Sequence, residues 1–179
     1  SAGQVVAASV LPPYQYIRQQ LTQQQQQQEK SGGGSEGAAK HLRSIMKKLS
    51  LIALSNERNS FAIAVEPEVQ VLHRWPKPSQ DRIEGNRKFE DAQVYLPCHS
   101  WGWSLVNGGG NVINPILARA WGCCIQFLRA SFPETDGVEE SNNKDDFQYP
   151  AFGIHDEFDV DVPIVSLEWL NDRSLVFLS

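Results

Sequence analysis

Four places in the sequence bring together side chains that could do chemistry. Cys98-His99 and Cys123-Cys124 supply thiols and an imidazole, the groups of a cysteine nucleophile or of a zinc site. A structural zinc ion is gripped by spaced pairs such as Cys-x2-Cys, whereas here no such pair exists and His41, His73, His99 and His155 are scattered. Adjacent Cys123 and Cys124 would point to opposite faces of a strand and cannot easily bridge each other. The expectation is inert cysteines in apolar strands, with no catalytic residue, no metal and no cofactor. A cysteine-dependent hydrolase built on Cys98-His99 or Cys123 is the alternative from the catalytic class.

The acidic run Asp156-Glu-Phe-Asp-Val-Asp161 has carboxylates at close spacing, as calcium requires, but lacks the ligand order of a calcium loop. It reads as a solvated loop leading into a strand. Asn107-Gly-Gly-Gly-Asn111 has neither the Lys-Ser/Thr pair nor the GxGxxG spacing of a phosphate loop, and reads as an inter-strand connection. Trp101 and Trp103 stand two apart, so in a strand both indoles face one side and Gly102 leaves the other side open. They are the candidate partner-binding residues, because tryptophan is enriched at binding hot spots. The weightier reading has the same indoles filling a gap between neighbouring sheets.

Composition narrows the classes further. The chain has 179 residues, 41% hydrophobic and 21% charged, which is ordinary for a globular protein. No apolar run approaches the roughly 18 to 20 residues of a membrane-spanning helix, and the opening residues lack the pattern of a secretion signal. The net charge of −5 is unevenly spread, with +4 over residues 1–50, +1 over 51–133 and −10 over 134–179. Nucleic-acid binding calls for a clustered basic face, and the strongest cluster here is acidic, so nucleic acid is not an expected partner. An odd count of three cysteines fits a reducing compartment.

The elements that would position these groups are strands. Residues 51–55 and 61–65 are apolar runs separated by the polar stretch Asn56-Glu-Arg-Asn-Ser60, which suits a hairpin turn, and 68–73 alternates into a further strand. The same unit recurs as 116–121, a break at Gly122, and 123–128, and again as 164–169, a turn at Asn171-Asp172, and 174–178. Three apolar hairpins joined by polar connectors predict an all-β fold of radially repeated antiparallel sheets, an incomplete β-propeller of the WD40-like kind. Three hairpins amount to fewer than the four blades that closure needs, so the segment reads as part of a larger propeller, with open strand edges at Leu51 and near Ser179.

Upstream, residues 1–18 hold one short strand at most, with a linker. Eight of the ten residues from Gln19 to Gln28 are glutamine and a Gly/Ser-rich piece follows, so 19–39 reads as a disordered low-complexity insertion, natural or engineered. Within 40–50, Leu42, Ile45, Met46 and Leu49 share one face of a short amphipathic helix. The propeller fragment is expected over 51–179, with long loops at 76–92 and 131–161 of the kind that carry recognition.

In this order the motifs resemble a known family. The run from Leu51 to Pro78 with its Trp-Pro-Lys-Pro ending is followed by Leu96-Pro-Cys-His-Ser-Trp101. Next come Asn114-Pro-Ile-Leu-Ala-Arg-Ala-Trp-Gly122, Ile125-Gln-Phe-Leu128 and Leu167-Glu-Trp-Leu-Asn-Asp-Arg-Ser174. This series resembles the later part of the N-terminal propeller of the vacuolar protein sorting-associated protein 8 family, subunits of the CORVET tethering complex. The resemblance implies a cytoplasmic, non-catalytic scaffold, peripheral on endosome or vacuole membranes through its partners. Those partners would be a Rab GTPase and other tethering-complex subunits, in endosome-to-vacuole or lysosome transport. A propeller from another trafficking or protein-interaction complex is the alternative among binding modules.

Overall fold

Antiparallel pairing of short strands organises the chain into three sheets. The structure, a computed structural model, describes residues 3–13, 47–85, 95–106, 112–132, 149–171 and 174–179. Strands β1 (Ala7–Val10), β2 (Ser50–Ser55), β3 (Asn59–Glu66) and β4 (Gln70–Pro76) form the first sheet in that order. The second holds β5 (Pro97–Val106), β6 (Val112–Ser131) and β7 (Ala151–Ile164), with β6 in the middle. The third pairs β8 (Ser166–Trp169) with β9 (Leu175–Leu178). A short helix, α1 (Gln80–Glu84), follows β4 and packs on β6 and β7.

Local chemistry explains the first hairpin. Asn56 Oδ1 accepts the backbone N–H groups of Arg58 and Asn59, each at 2.9 Å, which closes the turn between β2 and β3. Alternation then places Leu51, Ala53 and Ser55 on the buried face, opposite Ala64, Ala62 and Ser60. Small residues on this face leave room for the large ones that approach from the second sheet.

The three sheets stack face to face through two cores. Between the first and second sheets, Leu51, Ala62 and Trp75 meet Trp101, Leu117 and Leu128. Between the second and third, Ala118, Ala120, Ile125 and Ile164 meet Leu167, with Trp169 and Leu175 at the margin. The second sheet is therefore covered on both faces, as a blade is when it lies between two others. Gly102 permits a close approach of the third sheet: a Cβ there would lie 2.7 Å from Cγ of Trp169. The fold is all-β and antiparallel, and its sheets are not closed.

The second hairpin expected from sequence is instead one continuous strand. A reversal needs about two loop residues, and a single glycine can bend a strand but not turn it back. Gly122 sits at φ 59° in an irregularity of the β6–β7 pairing, and β6 runs through it for 20 residues. The bend switches the side-chain parity: Leu117 and Leu128 both face the first sheet, while Ala118 and Ile125 both face the third.

The expected loop over 131–161 also ends early, because residues 151–161 belong to β7. Phe152, Ile154, Phe158 and Val160 alternate with polar groups, and an outer strand tolerates carboxylates that a central one would not. Ile164 closes β7 in the second sheet, whereas Ser166 begins the third, so the expected strand 164–169 is split at Val165. The edge expected at Leu51 is occupied by β1, which pairs Val10 with Ile52 and Ala7 with Ser55. Within the long connector at 76–92, residues 80–84 form α1. The low-complexity stretch 19–39, the glycine cluster 107–111 and most of the proposed helix at 40–50 lie outside the described residues; Lys47 and Lys48 are helical.

Gly122 should tolerate no side chain. A Cβ would overlap the carbonyl of Ile83 in α1, and the positive φ adds its own strain. We expect Gly122→Ala to lower stability by more than about 2 kcal/mol, seen as a lower urea midpoint. An unchanged midpoint would mean that α1 is not seated on β6.

Candidate functional site

The chemistry-bearing residues fall into three environments. Trp101 and Trp103 lie in the core between the first and second sheets, 4% and 6% exposed. Trp103 Nε1 donates to the Pro12 carbonyl at 3.1 Å, and the Trp101 ring meets Phe152 edge-on with centroids 5.8 Å apart. Phe152 in turn meets Trp75 edge-on at 6.1 Å, so one phenyl ring bridges an indole from each sheet. These indoles join sheets, and recognition through them would require the sheets to part.

Cys98 and His99 are neighbours that never meet as a reactive pair. Strand alternation turns Cys98 toward the third sheet and His99 toward the first. His99 Nε2 lies 2.6 Å from Ser55 Oγ, which lies 2.5 Å from Ser60 Oγ. A serine–imidazole pair can act as nucleophile and base, but a hydrolytic site needs access and a group to orient the ring. Here Ser55 and Ser60 are buried, and Nδ1 of His99 has no bonding partner among the described residues. Burial first and the nearby Arg119 charge second push the His99 pKa down to about 4, so the ring is neutral and the polar chain ties β2 and β3 to β5.

The thiols are held away from reactivity. Burial pushes Cys98 up to about 11 and Cys124 up to about 11, so thiolate is scarce at neutral pH. Cys123 is buried beneath α1, where Sγ lies 3.7 Å from the Glu84 carbonyl oxygen. Cys98 and Cys124 are free thiols. Among the described residues, no group of three or more His, Cys, Asp or Glu is arranged to hold a metal ion.

A charged network that sequence reading missed links the core to the surface. Arg119, 2% exposed, donates through Nε and Nη2 to Gln126 Oε1 and through Nη2 to the Pro76 carbonyl. Gln126 Nε2 donates to Glu157 on β7 at 2.9 Å, and Arg82 of α1 bridges Glu157 and Asp159, each at 2.8 Å. Burial lowers the Arg119 pKa to about 10, which leaves it charged at neutral pH. Bonds from Gln126 and then Arg82 hold the Glu157 carboxyl below its usual range. Arg119 and Gln126 lie seven apart in sequence on one strand and meet only because Gly122 reverses the parity between them. No sequence spacing rule would have joined them.

The exposed features among the described residues include strand edges and the acidic β7. A profile of the Vps8 beta-propeller family matches residues 37–179. The chain belongs to the Vps8 β-propeller family. The matched span takes in β2 to β9, and thus all three sheets. Comparison with curated proteins and with solved structures gives no match. Within a Vps8 propeller, the indoles, the serine–histidine chain and the buried arginine are the groups that hold one sheet against the next.

Two outcomes test this reading. Trp101→Ala should cost about 3–5 kcal/mol of unfolding free energy, since it removes a buried indole; an indole that served only as a docking patch would leave stability unchanged. His99 gives a pH signature. It titrates near 6.5 when unfolded and near 4 when folded, so between these values the unfolded chain binds the extra proton. Its contribution of about 3 kcal/mol is complete above pH 6.5, falls as the pH drops toward 4 and changes no further below that. Urea unfolding across this range should show the slope, and His99→Gln should flatten it.

Proposed function

We propose that this chain is a non-catalytic scaffold segment of an endosomal vesicle-tethering protein. It acts by holding protein partners, among them a Rab GTPase and other subunits of a tethering complex. The single observation that carries the reading is the family match across 37–179. Protonated thiols and a buried, neutral imidazole agree with a role that makes no bonds to substrate. No described helix is long and apolar enough to cross a membrane, which is consistent with recruitment to endosomal or vacuolar membranes by partners.

The decisive experiment is capture of Rab GTPases by the complete propeller, with each GTPase loaded with GDP or a non-hydrolysable GTP analogue. The expected result is selective retention of a GTP-loaded early-endosomal Rab. Equal retention in both nucleotide states, or none by a demonstrably folded propeller, would remove the Rab role and leave an unassigned scaffold.

A further inference from the structure

The first sheet has four strands, and the second has three. The position that β4 fills beside β3 has no counterpart beside β7 among the described residues. Among the described residues β7, 14 residues long, pairs on one side only, with β6. Residues 153 to 159 are all exposed, including Ile154 at 50% and Phe158 at 41%. An edge strand of this length is a template for another chain unless something prevents it, and of its backbone groups the Glu157 N–H is already taken by Asp156 Oδ1 at 2.9 Å.

Charge decides what can pair there. Asp156, Glu157, Asp159 and Asp161 lie on this one strand, and Arg82 is the cation bonded to it, through Glu157 and Asp159. A second copy of β7 would set carboxylates opposite carboxylates, which is unfavourable across a strand pair. The same arrangement favours an extended segment carrying Lys or Arg between apolar residues. On the face toward the first sheet its cations would meet Asp161 beside the Arg82-bridged Asp159, and on the face toward the third sheet its apolar side chains would cover Phe158 and Val160.

We propose that the open edge of β7 accepts an extended basic segment of a protein partner as an added fourth strand of the second sheet. The backbone ladder would supply affinity, and the carboxylates would select the sign of charge and exclude self-association. This inference stands apart from the tethering role, because it rests on the edge and its charges and not on the family.

The test uses the full chain and a ten-residue synthetic peptide alternating lysine with valine, followed by titration calorimetry. Two peptide controls accompany it: one with glutamate in place of lysine, and one with lysine retained but alternate backbone amides N-methylated. The lysine peptide should bind, the glutamate peptide should not, and methylation should weaken binding at least about tenfold, since it removes ladder donors on one edge. The variant Asp161→Lys keeps the Arg82 bridges and should weaken the lysine peptide by about threefold or more while unfolding at the parent's urea midpoint. Binding that survives methylation would mean surface attraction without strand addition, and would overturn the proposal. So would unchanged affinity in the folded Asp161→Lys variant, or failure of the lysine peptide to bind at millimolar concentration.

Discussion

The two cores depend on the backbone reversal of parity at Gly122. A strand with unbroken alternation would present Leu117 to the first sheet and Leu128 to the third, so one half of β6 would face the wrong core. The left-handed conformation at Gly122 corrects this within one strand, and the absence of a side chain lets Ile83 of α1 close over the bend. α1 is then held in place by Arg82 on β7, so the helix, the bend and the outer strand form one connected unit. Two half-strands of ordinary length thereby act as one 20-residue spine for the middle sheet.

Stacked sheets with apolar faces could slide over one another, and the polar groups in the first core oppose that. Ser60, Ser55 and His99 form a chain across the sheets, and Arg119 reaches Gln126 and the last residue of β4. Such bonds are available in one register only, and leaving them unmade under burial costs about 1–3 kcal/mol per group. The groups that look reactive in isolation thus serve to align the sheets. Their chemistry is suppressed by the same burial that makes them useful for alignment, since a neutral imidazole and protonated thiols are the forms a buried site favours.

The parts of the structure legible in sequence are those governed by short-range pattern. The β2–β3 hairpin is announced by apolar runs around Asn56, and β8–β9 by those around Asn171. The pairing of Trp101 with Trp103 on one face, opposite Gly102, follows from alternation alone. β7 was not legible, because its charges suggested a loop and its single neighbour permits them. The link from Arg119 to Arg82 was not legible either, as it joins α1, β6 and β7 through a parity switch that alternation rules do not carry.

The sequence by itself determined the fold class, the family and the absence of the ligand spacings that metal and phosphate sites require, since these reside in residue type and local order. Only the tertiary structure decided that Gly122 bends a strand where it was expected to end one, that Trp101 and Trp103 face a neighbouring sheet, and that the carboxylates of β7 lie on the outer strand of the described second sheet. Each of these depends on which strand lies beside which, and that is set by long-range burial and pairing. A local pattern states what a strand can present, and its neighbours determine whether that face meets protein or water.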